Sequence, residues 1–230
     1  MIELSHSAII CIGDNMEKLK NRYTLGEEIF NAVTHGVGAL LSVGGTAVLI
    51  VFSAIYSDAW SVVGSSIYGG SLIMLYIMST LYHAITNEKA KRFFRIMDHT
   101  NIFFLIAGTY TPITISILRG VYGWILFGVV WAAAILGIVF NSIDLKKYSK
   151  PSVVCYIAMG WVVIFAIKPL LEIMNPFCFM LIVAGGVLYT LGVVFYAIKK
   201  VKYFHSVWHI FTVLGSACHY FGILFTIMEM

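Results

Sequence analysis

The sequence predicts an all-α integral membrane protein whose chain crosses the bilayer seven times. Of its 230 residues, 60% are hydrophobic and 11% are charged, whereas soluble domains have about 45–50% and about 25%. The mean hydropathy is +0.91. The apolar residues fall into seven runs, each close to the roughly 20 residues with which a helix crosses the hydrocarbon. The runs fill nearly the whole chain, so we expect no separate soluble domain.

The order of the runs predicts a polar cytoplasmic segment at residues 1–28 and a seven-helix transmembrane domain at residues 29–230. The spans are expected at about residues 29–55, 60–83, 96–118, 122–140, 152–171, 177–198 and 204–228. Pro112 lies inside the third span, and a kink is expected there because proline lacks the N–H that a helix needs.

The lysines and arginines predict which way the bundle faces. Of the 15, all but Arg119 and Lys168 lie before the first span or near the loops after the second, fourth and sixth spans. Because cytoplasmic loops carry excess positive charge, the N-terminus is expected in the cytoplasm and the C-terminus outside. We therefore expect a multi-pass protein of the cell (plasma) membrane. The basic residues sit in short loops between apolar runs, so they do not indicate a nucleic-acid partner, and the oligomeric state is not encoded in any pattern we recognise.

Two histidines, His205 and His209, lie four residues apart at the start of the last span. On a helix this spacing puts both imidazoles on one face, where they could share a metal ion. The alternative is structural, since histidine also hydrogen-bonds across membrane helices.

Three more polar residues are predicted at the same depth. Ser79 and His83 close the second span and Asp98 opens the third, on the side where the seventh span begins. Ionisable residues inside a membrane are costly, so each is a candidate for function. Ser79 and His83 are also one helical turn apart on one face.

The five residues together are typical of a catalytic zinc site. His83, His205 and His209 are a sufficient ligand set for a catalytic Zn²⁺, which keeps a fourth position open for water. Asp98 could hydrogen-bond that water and take its proton, and Ser79 could stabilise the water or an oxyanion. Three imidazoles also bind other divalent metals, so zinc is the expected ion and not the only one the set allows.

Each scattered residue also has a structural interpretation of its own. His83 could be an interfacial histidine at a helix end. Asp98 could interact favourably with the positive end of a helix dipole at the helix N-terminus, or it could form a salt bridge with Arg95. Ser79 could bond to its own helix backbone. The prediction of a site therefore rests on the convergence of these residues.

Three further histidines are expected outside the ligand set. His99 follows Asp98 and points about 100° away around the helix. His219 lies about 15 Å along the helix from His209. We expect His35, inside the first span, to make an interhelical hydrogen bond; the alternative is a supporting contact to the site.

Several of these stretches resemble the haemolysin III family. This is the bacterial branch of the progestin and adipoQ receptor (PAQR) families, which also include the adiponectin receptors. The stretches are EIFNAVTHG (28–36), STLYH (79–83), MDH (97–99), AGTYTP (107–112), and HSVWH (205–209) with the trailing HY (219–220).

The resemblance implies a seven-helix protein with a cytoplasmic N-terminus and a zinc ion held by His83, His205 and His209. It also implies that Asp98 lies near the metal-bound water with Ser79 close by. The wider superfamily includes alkaline ceramidases, which hydrolyse a lipid amide bond. The implied function is a zinc-dependent hydrolase of a lipid amide or ester, with a membrane lipid as its substrate.

Two other functions stay open at this point. One is a non-enzymatic membrane protein with structural zinc, acting in lipid homeostasis or sensing. The other is the lytic or channel activity that the family name implies, although the sequence has no alternating strand pattern of a pore-forming toxin.

Overall fold

The computed structural model describes residues 23–230, which form seven helices long and apolar enough to cross a membrane. The helices are α1 Leu25–Tyr56, α2 Ala59–Ala84, α3 Glu88–Leu118, α4 Gly120–Ile143, α5 Leu145–Ile173, α6 Pro176–Ala197 and α7 Phe204–Met228. No strand occurs within residues 23–230, and the predicted all-α class with seven spans is confirmed. Most of the predicted N-terminal segment lies outside the described residues.

Several helices begin at a polar side chain that caps the first N–H groups. At α1, the Glu27 amide donates to the Thr24 hydroxyl at 3.3 Å, and the Glu27 carboxylate accepts from the Thr24 amide at 2.8 Å. The side chains of Asp58 and Asn87 cap α2 and α3 by accepting from backbone N–H groups of their first turns. The capping box explains why α1 begins at Leu25, before the predicted residue 29.

Two helices depart from α geometry. In α3 the α-helical part Glu88–Pro112 is followed by a π-helical turn, Ile113–Leu118. Proline offers no N–H to the carbonyl one turn earlier, and the helix type changes directly after Pro112, where the sequence predicts a kink. The second departure, a 3₁₀ stretch at Val162–Ala166 inside α5, was not predicted.

The packing brings four helix ends together. Helix α2 packs against α1 and α3, while α7 packs against α6 and α1. The start of α1, the end of α2 and the starts of α3 and α7 therefore meet at one end of the bundle. We call it the basic end, because the lysines of the α2–α3, α4–α5 and α6–α7 connections also lie there. Apolar side chains such as Leu40, Val121 and Phe165 remain exposed on the outer faces, as expected of helices that face lipid.

Candidate metal centre

Three histidines converge at the basic end, one from the last turn of α2 and two from the first turns of α7. They are His83, His205 and His209, and one ligand nitrogen from each lies within 4.8 Å of the others. The Nε2 atoms of His205 and His209 are 3.2 Å apart. The ring centroid of His83 lies 5.4 Å from that of His205 and 5.0 Å from that of His209. The structure thus brings together all three predicted ligands.

A carboxylate from α1 holds the far side of the His83 ring. The Nδ1 of His83 is 2.6 Å from Glu28 Oε2, and Lys91 Nζ donates to Glu28 Oε1 at 2.9 Å. Donation from Nδ1–H to the carboxylate leaves His83 Nε2 as the nitrogen with a free lone pair. That atom is buried and has no hydrogen-bond partner in the described protein. Metal-ligating histidines commonly donate their other N–H to a carboxylate, so this arrangement fits a metal ligand.

Aromatic rings hold the two histidines of α7. His209 is only 1% exposed, and its ring stacks on that of His35 with 3.7 Å between centroids. Tyr23 stacks on His205 at 4.9 Å. Neither ring nitrogen of His35 forms a hydrogen bond with the described residues, although the backbone of His209 lies close to the ring. His35 therefore makes the supporting contact to the site that the alternative expected, through its stacking on His209.

Ser79 is fully buried one turn before His83, and its hydroxyl makes no hydrogen bond with the described residues. Other buried serines of these helices donate to the carbonyl one turn earlier, as Ser42 and Ser53 do at 2.7 Å. The backbone-bonded interpretation of Ser79 is thus wrong. A buried hydroxyl without a partner is costly, so Ser79 has an unused hydrogen-bonding group at this end of the bundle.

Asp98 lies in α3 beside the histidines, and its side chain is 14% exposed. One oxygen of its carboxylate lies 3.3 Å from the Nδ1 of His99. It also interacts electrostatically with His83 and approaches the Ser79 hydroxyl, short of the geometry of a formed hydrogen bond. The three histidines therefore have a carboxylate and an unpaired hydroxyl next to them.

The family model described as "Haemolysin-III related" matches residues 23–220, which include every residue of this site. The chain belongs to the haemolysin III family. It is 44% identical over 202 residues to Hemolysin-3 of Bacillus cereus, covering 88% of this chain and 92% of that protein. It is also 44% identical over 203 residues to the Hemolysin-3 homolog of Bacillus subtilis (strain 168), covering 88% and 95%.

A more distant similarity extends to the PAQR-like proteins of animals, as the sequence motifs predict. The human monocyte to macrophage differentiation factor is 27% identical over 206 residues, which covers 87% of this chain and 84% of that protein.

Two histidines of this haemolysin III protein lie outside the ligand group, as predicted. His99 donates from Nδ1 to the Arg95 carbonyl at 2.9 Å, and its Nε2 is 3.3 Å from the Tyr196 hydroxyl. His219 donates from Nε2 to the Ile182 carbonyl at 3.0 Å.

Glu28 is a site residue that the sequence motifs did not predict. The available signal was its position, a carboxylate in the first turn of α1 at the same end of the bundle as His83. Because a metal-bound histidine needs an acceptor for its second nitrogen, a search for such a carboxylate among the neighbouring helix ends would have found it.

Replacing Glu28 with glutamine should weaken metal binding by about 10- to 100-fold, because His83 loses the charged acceptor that fixes its tautomer. Chelator competition on the purified protein measures the affinity. Glu88→Gln is the matched control, since Glu88 is an exposed carboxylate at the same end, in the first turn of α3. Equal affinities for Glu28→Gln and the unsubstituted protein would contradict the role of Glu28.

Proposed function

We propose that this haemolysin III protein is a zinc-dependent hydrolase of a lipid amide or ester. One observation carries the proposal: three imidazoles converge beside a carboxylate and a buried, unbonded hydroxyl. Structural zinc sites are usually closed by four protein ligands, whereas catalytic sites use three and keep a position open. The donor set of His83, His205 and His209 fits the second pattern.

Each residue then has a separate task. A bound Zn²⁺ would act as a Lewis acid and make water a nucleophile near neutral pH. Asp98 would orient the attacking water, accept its proton and pass the proton to the leaving amine or alcohol. Ser79 would donate a hydrogen bond to the oxygen on which negative charge develops. Glu28 would keep the proton of His83 on Nδ1, so that Nε2 faces the metal.

An apolar cavity inside the bundle supports a lipid as the substrate. It lies mainly between α3, α5, α6 and α7, and Ile102, Trp161 and Trp208 are among its lining residues. Ile102 is one helical turn from Asp98, and Trp208 precedes His209 directly. An acyl chain in this cavity would therefore lie along α3 and α7, the helices that carry Asp98 and two of the metal ligands.

The lysines of the basic end support a cytoplasmic position for the site. Short loops rich in lysine face the cytoplasm in most membrane proteins. With seven spans the C-terminus then lies outside, and the site opens to the inner leaflet of the cell membrane.

Hydrolysis of labelled ceramides and fatty-acyl esters by the purified protein tests the proposal. The zinc-loaded protein should release fatty acid, the metal-free protein should not, and added zinc should restore the reaction. Thermal denaturation of the same preparations separates the structural alternative, in which zinc raises Tm without any turnover. A stable zinc-loaded protein that cleaves none of these lipids would contradict a hydrolase.

A further inference from the structure

A second pocket, of about 470 Å³, lies at the basic end between the start of α1 and the α6–α7 connection. Its lining includes three lysines, Lys199, Lys200 and Lys202, which we call the pocket lysines. His205 also lines the pocket, so it borders the metal centre. Nothing in the proposed chemistry of hydrolysis uses the pocket lysines.

The pocket keeps an excess of positive charge. Among the described residues that line it, Glu27 is the acidic one. The Glu27 carboxylate accepts hydrogen bonds from the amide and hydroxyl of Thr24 and from the Tyr203 amide, each at 2.8 Å. Lys202 also acts electrostatically on this carboxylate, and among the described lining residues the three solvent-exposed pocket lysines outnumber the carboxylate.

The start of α7 adds to this charge. The helix begins after Tyr203, whose φ of 63° turns the chain sharply, and no side chain caps the first N–H groups. The N-terminus of a helix carries a partial positive charge and binds anions with its N–H groups. The pocket lysines and the helix start thus favour the same ligand chemistry.

The residues that line the pocket would place a bound anion at the edge of the apolar bundle. Phe195 and Tyr196 contribute aromatic surface from the last turn of α6. Ile198 and Val201 line the pocket as well, and they are 42% and 48% exposed beside the ends of two spans. This is the level at which phosphates of lipid headgroups lie, with acyl tails alongside the helices.

We propose that this pocket binds the phosphate of an anionic lipid headgroup. Basic pockets between transmembrane helices at a positively charged membrane face recognise such headgroups, and apolar wall residues contact the attached tails. The bound lipid would lie next to His205. The proposal concerns binding only, so it stands whether or not the metal centre is a hydrolase.

Binding of dihexanoyl phosphatidylglycerol to the purified protein in neutral detergent tests the proposal. Changing the pocket lysines to glutamine should weaken binding by about tenfold or more, since each lysine near an anionic headgroup contributes several-fold in affinity. Changing them to arginine keeps the charge and should keep the binding. The matched control changes three exposed lysines in the first turns of α5 to glutamine: Lys146, Lys147 and Lys150. This control should bind as the unsubstituted protein does.

Four results would overturn the proposal. An equal loss of lipid binding in both glutamine triples would show that binding depends on general surface charge and not on the pocket. Equal binding of dihexanoyl phosphatidylcholine would show that the anionic charge of the headgroup has no role. Equal binding of free glycerol phosphate would identify a soluble phosphate as the ligand. If the glutamine triple does not fold, loss of binding in the folded arginine triple would overturn it as well. Zinc content and ceramide turnover, measured on each variant, report separately on the proposed hydrolase.

Discussion

His209→Ala should abolish high-affinity metal binding, with a fall in zinc affinity of about a thousandfold or more. The loss should exceed the roughly 10- to 100-fold effect of removing an outer hydrogen-bond partner, because a ligand itself is removed. His209 is 1% exposed and its Nε2 lies 3.2 Å from that of His205, so no solvent-exposed group can replace it without a rearrangement of α7. Metal analysis of the purified protein, followed by chelator competition, measures the effect.

His219→Ala is the control for this substitution. His219 lies in the same helix, but it contacts the Ile182 carbonyl and stands outside the ligand group. Its removal should leave zinc content unchanged. Full zinc occupancy in His209→Ala, or an equal loss in His219→Ala, would contradict the assignment of the metal ligands.

Asp98→Asn should retain zinc and lose turnover by about 10²- to 10⁴-fold, the usual contribution of general acid–base catalysis. Asparagine keeps the shape of the side chain and can still hydrogen-bond, but it cannot take a proton from water. The variant therefore separates proton transfer from metal binding. The measurement combines metal analysis with the initial rate of ceramide hydrolysis.

His99→Gln controls for an indirect effect of that substitution, because Asp98 also pairs with His99 at 3.3 Å. We expect nearly normal turnover, since His99 does not belong to the ligand group. Unchanged turnover in zinc-loaded Asp98→Asn would exclude Asp98 as the general base. A comparable loss of turnover in His99→Gln would show that the contact between Asp98 and His99 affects turnover by holding α3 in position.

The seven helices were predictable from the sequence, because hydrophobic length alone decides which segments can cross a bilayer. The helix ends were not. Helix α3 begins at Glu88 and α5 at Leu145, well before the predicted apolar spans. Their first turns are polar and project beyond the hydrocarbon, where hydropathy carries no signal and only caps such as Asn87 and Asp144 fix the start.

Convergence of the three histidines was predictable for a similar reason. An odd or even number of spans fixes the end of the bundle at which a residue lies, and that placed His83 level with His205 and His209. The contacts of Glu28 and His35 depend instead on how α1 packs against α2 and α7. No periodicity within α1 encodes that packing, so the sequence left the role of His35 open and missed Glu28.

X-ray absorption spectroscopy at the zinc edge tests the central claim, a three-histidine centre with one position left open by the protein. The unsubstituted protein should bind one zinc per chain with three imidazole ligands, and Asp98→Asn should give the same spectrum, because Asp98 is not a ligand. A fourth protein ligand, or a spectrum altered by Asp98→Asn, would contradict the open catalytic centre and establish a closed structural site.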